Sequence, residues 1–147
     1  MGVTPGHRSP VQTARVRLKL DDAGGGAASV PVLRLEGEFD IDTVSEVDRF
    51  LRRRLGPLYE RRHLVMDLSG VTFVDSSFVG FVVRLAARQR QARRELVFAH
   101  PVGRVRAVLA MVALPTLVPV YETLDEALVA LREARAPLIP PAFSAAD

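Results

Sequence analysis

Apolar and polar residues alternate from Val11 onward. Val11 and Thr13 are followed by Val16, Leu18 and Leu20, with arginine and lysine between them, the two-residue period of a half-buried strand. Asp21 to Gly26 is turn-forming in composition, and Val30 to Leu35 is a second apolar run, so the chain is expected to open with an antiparallel hairpin. Beyond Gly37-Glu38-Phe39-Asp40 the period lengthens. Val44, Val47, Phe50, Leu51 and Leu55 fall on one side of a helix and Glu46, Arg49, Arg52 and Arg53 largely on the other. Thr43 and Glu46 stand at capping-box spacing at its start, and Gly56-Pro57 ends it.

The run from His63 to Leu68 has the composition of a buried strand, broken at Ser69-Gly70. After Val71 to Val74 come Asp75, Ser76 and Ser77, all good N-cap residues, and then an apolar helix over about 78–91. Glu95 to Ala99 predicts another strand. Pro101 suits the first turn of a third helix that carries Val105, Val108, Leu109 and Val112 at helical spacing. A last short strand is expected over Thr116 to Tyr121. Thr123 and Glu126 repeat the capping-box spacing before a helix that runs to about Ala134.

The expected order is β-β-α-β-α-β-α-β-α, an α/β fold with one mixed sheet and four flanking helices. Residues 11–135 are expected to make up a single domain, between a loose arm over 1–10 and a disordered, Pro- and Ala-rich tail over 136–147. At 147 residues, one core is the default.

Composition narrows the chemistry. There is no cysteine, which excludes disulfides, thiolate metal sites and thiol catalysis and suits a reducing cytoplasm. No secretory h-region and no membrane-spanning apolar run is present, so a cytoplasmic protein without membrane insertion is expected. Net charge is only +3, yet almost every base is arginine, with clusters at Arg52-Arg53-Arg54, at Arg61-Arg62 and over 88–94. No aromatic interleaving or nucleic-acid motif accompanies them, so they are assigned to solvated helix faces and no nucleic-acid partner is expected. The three histidines stand in the arm (His7), at a strand start (His63) and beside Pro101 (His100), with no nucleophile elbow, P-loop or metal cluster. An enzyme is not expected, nor is a cofactor or a metal.

Two motifs are more specific. Leu35-Glu36-Gly37-Glu38-Phe39-Asp40 before a helix, followed by the run from Val65 through Asp67-Leu68-Ser69-Gly70 to Asp75-Ser76-Ser77, resembles the STAS family of anti-sigma factor antagonists. The resemblance covers roughly residues 11–133. It implies a STAS-like fold and a protein that binds an anti-sigma factor, itself a serine kinase, and so releases a sigma factor. It also implies that the serine after the Asp, here Ser76, is phosphorylated to break that complex, and that a PP2C-type phosphatase restores it. Asp40 resembles the loop acid beside that serine. The partner-binding surface is accordingly expected to comprise Asp40, Asp75, Ser76, Ser77, Phe78 and Val79, on a monomer or weak dimer. Two positions depart from the family pattern: Phe78 stands where glycine usually follows Ser-Ser, and Ala113 where glycine often follows the third helix.

A serine at a helix start is exposed to modification and lies among backbone N–H groups without helical partners. A phosphate there adds about −1.5 to −2 charges at neutral pH. The helix dipole favours that charge, whereas Asp75 and Asp40 oppose it. The expected effect therefore falls on the partner interface rather than on the fold. Ser76 and Ser77 as plain N-caps, in a STAS scaffold, sensor or soluble accessory subunit of a membrane transport system, is the competing expectation.

Overall fold

The computed structural model describes residues 11–12, 15–23 and 29–135. The expected arm, the glycine run of the first turn and the expected tail lie outside the described residues. Among the described residues, six strands follow one another in chain order across a single sheet. They are β1 (Val11–Gln12), β2 (Val16–Ala23), β3 (Val30–Phe39), β4 (Leu64–Val74), β5 (Leu96–Ala99) and β6 (Val120–Tyr121). β1 to β3 are antiparallel neighbours, and β3 to β6 are parallel. Four α-helices alternate with the parallel strands: α1 (Val44–Leu55), α2 (Ser76–Gln91), α3 (Gly103–Met111) and α4 (Leu124–Arg135).

The expected mixed α/β order holds, with local corrections. The last strand, expected over Thr116 to Tyr121, is only Val120–Tyr121, because Pro115 helps close a 3-10 turn over Leu114–Thr116. The first expected strand is two, because β1 folds back and pairs Val11 with Leu18. A period of two cannot distinguish one long strand from two paired pieces. Asp21 to Ala23, assigned to a turn, continue β2 and pair with Val32, Pro31 and Val30; Asp21 also accepts a 2.8 Å hydrogen bond from Arg34. Ser69-Gly70 is a bulge rather than a break: Asp67 pairs with Arg34 and Gly70 with Glu36, so β4 spends one extra residue there and continues to Val74.

Side-chain alternation builds a two-sided core. On one face Leu33, Leu35, Leu64, Met66, Leu68 and Phe98 pack under α1, α2 and α3. On the other, Val30, Val32, Val65, Val97 and Ala99 meet Ala127, Leu128 and Leu131 of α4. Coverage on both faces explains why β4 begins, and β5 runs, as unbroken apolar sequence. Asp67 is the polar exception within this stretch. Only 3% exposed, it accepts from the Arg34 guanidinium at 2.8 Å and from the Ser69 N–H at 2.9 Å.

The two capping-box spacings have different outcomes. Before α4, Thr123 Oγ1 accepts from the Glu126 N–H at 3.1 Å, as expected. Before α1 the box does not form. Thr43 is 3% exposed; its hydroxyl donates to the Glu38 carbonyl at 2.7 Å and accepts from the Asp40 N–H at 3.0 Å. Its side chain is thus bound to the end of β3 and the residue after it, and Asp40 takes over the turn.

Candidate functional site

Parallel strands place their carboxyl ends along one edge of the sheet, where ligands of open α/β folds commonly sit. Phe39 and Val74 are partners in the register of β3 and β4, and the Asp75 N–H donates to the Phe39 carbonyl at 3.3 Å. The residues that follow, Asp40 on one strand and Asp75-Ser76 on the other, therefore emerge side by side. Two motifs that are 35 positions apart in sequence become one site through this ladder.

Asp75 has extended backbone and is the N-cap of α2. Its Oδ1 accepts from the Ser77 N–H at 2.8 Å and from the Phe78 N–H at 3.4 Å. Ser76 occupies the first helical position and is exposed; Ser77 is half-buried. The cap is thus Asp75, and Ser76 is left facing solvent. Because the Asp75 carboxylate already occupies the next two helical N–H groups, a phosphate on Ser76 would meet a negative neighbour rather than an empty anion site.

Asp40 is held from two directions. Its Oδ1 accepts from the backbone of Asp42 at 2.9 Å and of Thr43 at 3.2 Å, an Asx turn into α1. Its other oxygen is bound by the Arg15 guanidinium, which also reaches Glu38 at 2.9 Å and Asp42 at 3.9 Å. The Arg15 hydrogen bond holds the Asp40 carboxyl below its ordinary range, and the Asp40 partner raises the arginine. Gly37 makes this arrangement possible. At φ 108° it is in a conformation that L side chains rarely adopt, and a Cβ there would lie 1.9 Å from the Arg15 carbonyl.

Phe78 is a correction to the expected surface. It is 0% exposed, with its ring 6.0 Å from Phe39 and 6.4 Å from Phe98, centroid to centroid. The third helical position of α2 points inward, so Phe78 is core that seats the helix start and cannot touch a partner directly. Val79 is half-buried; Val82 and Leu85 are buried, and Val83 is exposed. Sequence reasoning missed Arg15 and Ile41. Ile41 is 72% exposed beside Asp40, and a lone apolar residue between two aspartates was its visible signal. Nothing in the sequence marked Arg15. His63 accepts the Glu95 N–H at 3.0 Å and leads into β4, at the strand end opposite Ser76, and among the described residues no cluster of side chains could hold a metal ion.

Ala113, the other departure from the family pattern, has φ 57° and ψ 27°, the left-handed conformation that glycine adopts without cost.

The chain belongs to the STAS domain family: the family model described as "Mlab, STAS domain" matches residues 25–119. No curated protein sequence matches it. Its fold is shared with an anti-sigma factor antagonist from Mycobacterium paratuberculosis, at 24% identity and TM-score 0.63 over 80% of this chain and 94% of that one. It is also shared with the anti-sigma factor antagonist SpoIIAA in its unphosphorylated form, at 20% identity and TM-score 0.61 over 84% and 99%. The phosphorylated form of SpoIIAA, the Bacillus cell fate determinant, matches at 21% identity and TM-score 0.55 over 78% and 99%. A murine Slc26a9 anion transporter matches at 14% identity and TM-score 0.58, over 71% of this chain and only 18% of the transporter. Among the described residues, no helix is long and apolar enough to cross a membrane.

Proposed function

We propose that this chain is an anti-sigma factor antagonist. It binds a serine-kinase anti-sigma factor through the edge formed by Asp40, Asp75, Ser76, Ser77 and Val79, and a sigma factor is released. Phosphorylation of Ser76 dissociates the complex, and a PP2C-type phosphatase reverses it. The supporting observation is the exposed Ser76 hydroxyl at the first position of α2, beside a cap that Asp75 already fills. Phosphate there is not needed by the fold and is opposed by Asp75, so its free energy is expressed at the interface. Ile41 and Val83 extend the docking surface with apolar area, and Phe78 supports it from beneath. Nothing in this scheme gives the chain a catalytic step; kinase and phosphatase chemistry belong to the partners.

The test is phosphosite mapping of the protein isolated from its native cells, with its co-purifying partners identified. The expected result is phosphate on Ser76, a serine kinase retained by Ser76→Ala and lost by Ser76→Asp. Unmodified Ser76 under both growth and stress, with equal partner recovery by the two variants, would sink the switch.

A second reading has its own support in the "Mlab, STAS domain" description and in the transporter that shares the fold. In it the same edge docks a transport-system subunit independently of phosphorylation. Recovery of such a subunit with unmodified protein, and its retention by Ser76→Asp, would select this reading.

A further inference from the structure

Away from Ser76, arginine collects at the other end of α2. A groove between the α1–β4 connection and the last turn of α2 is lined by Leu58, Arg61, Arg88 and Arg94, with Glu60 the acid among its lining residues. The structure fixes the two walls to each other. Arg94 donates to the Arg61 carbonyl at 3.0 Å, and the buried Gln89 amide donates to the Arg62 carbonyl at 2.9 Å. Arg61, Arg88, Arg93 and Arg94 are exposed, and among the described residues none of them, nor Arg62, forms a salt bridge. Like charges gathered on one face cost stability, and Asp48, the acid within electrostatic reach of Arg88, is already bound by Arg52 and Tyr59, so an external anion is the natural complement.

Leu58 indicates which anion. It follows Pro57 at the tip of the connection, is 53% exposed, and lines the same groove as three of the arginines. An apolar tip within a cationic rim matches a bilayer interface, where the tip enters the headgroup boundary and the guanidiniums bind lipid phosphates. Arginine suits this role through its fork of donors, and Lys19 is the chain's only lysine. Nucleic acid is the poorer fit, because the aromatics of this region, Phe50 and Tyr59, are 3% and 2% exposed and cannot stack on bases.

We propose that this basic pole is a peripheral docking surface for an anionic membrane, lying on the bilayer with no spanning segment. Ser76 opens α2 and Arg88 lies twelve residues further along it, about 18 Å away at 1.5 Å per residue, which leaves the opposite edge open to a protein partner. The inference is independent of whether Ser76 is modified.

The test is co-sedimentation of the full chain with vesicles of phosphatidylcholine alone and of equal parts phosphatidylcholine and phosphatidylglycerol, with duplex DNA at matched phosphate as a soluble competitor. Expected is binding to the anionic vesicles only, weakened by salt and little affected by DNA. Arg61→Gln and Arg88→Gln should each weaken it about five-fold. Leu58→Ser should weaken it by a similar factor at unchanged charge. All three side chains are exposed, and circular dichroism of each variant checks the fold. Failure to sediment with anionic vesicles would overturn the proposal. So would vesicle binding indifferent to Leu58→Ser, or effective competition by DNA, either of which would make the pole a general polyanion patch.

Discussion

The Asp75 N–H donates to the Phe39 carbonyl across 3.3 Å, and this bond joins the ends of two strands that carry the candidate switch. One residue beyond each partner lie Asp40 and Ser76. The site is thus fixed by the parallel ladder beneath it, and its loops are short enough to follow the strands that end there.

The first prediction concerns the cap. Asp75→Ala removes the acceptor of the Ser77 and Phe78 N–H groups and should cost about 1 kcal/mol of stability. Asp75→Asn keeps an oxygen acceptor and should recover most of that loss. Ser76→Ala and Ser76→Asp, at an exposed position, should each stay within about 0.5 kcal/mol of the parent. Urea unfolding of the four variants checks this; a loss for Ser76→Ala as large as that for Asp75→Ala would show that Ser76 is itself structural.

Phe78 should act on stability and not by touching a partner. Phe78→Ala empties a site enclosed by Phe39 and Phe98 and should cost about 3–5 kcal/mol. Phe78→Leu should cost less, about 1–2 kcal/mol, because it keeps most of the apolar volume. Partner affinity of the folded Phe78→Leu protein should match the parent by calorimetry. A specific loss of affinity in that variant, with its fold intact, would return Phe78 to the interface.

Ala113 offers a gain. Left-handed backbone costs a side-chain-bearing residue about 1–2 kcal/mol. Glycine removes that cost but adds about 0.5–1 kcal/mol of unfolded-state entropy. Ala113→Gly should therefore stabilise the domain by roughly 0.5–1 kcal/mol, read as a higher denaturation midpoint at unchanged slope. An unchanged or lower midpoint would mean that the turn after α3 carries no such strain.

The Arg15–Asp40 pair has a defined pH signature. The Arg15 hydrogen bond depresses the folded-state Asp40 carboxyl below its unfolded value of about 4. Its contribution is then fully present above that unfolded value and is lost as pH falls through the lower, folded one. Carboxyl NMR should show Asp40 titrating below the ordinary range, and Arg15→Gln should move the midpoint upward. An unmoved midpoint in Arg15→Gln would place the cause in the Asx turn alone.

Much of the architecture was legible because burial writes a period into sequence. The apolar opening of β4, the unbroken apolar run of β5, the amphipathic stripe of α1 and the Asp-Ser-Ser start of α2 each have a local cause, and local causes survive in one dimension. The family motif carried the site to Asp40, Asp75 and Ser76 for the same reason. Thr43 shows where this stops: its spacing from Glu46 fits a capping box, but its hydroxyl is bound to the end of β3 and the residue after it. That choice depends on where Glu38 and Asp40 lie in space.

By itself, then, the sequence determined the α/β order, the alternation that covers both sheet faces and the motif holding Ser76, because these follow from chain periodicity and helix-start chemistry. Only the tertiary structure decided which of those residues face outward. Residue type makes Phe78 suitable for either a surface or a core, and packing between Phe39 and Phe98 assigned it to the core. Ladder register brought Arg15, Glu38 and Asp40 together across 25 positions. Packing of the α1–β4 connection against the end of α2 gathered separate arginines around Leu58. Such long-range contacts are set by three-dimensional packing of the whole sheet, and no local pattern encodes them.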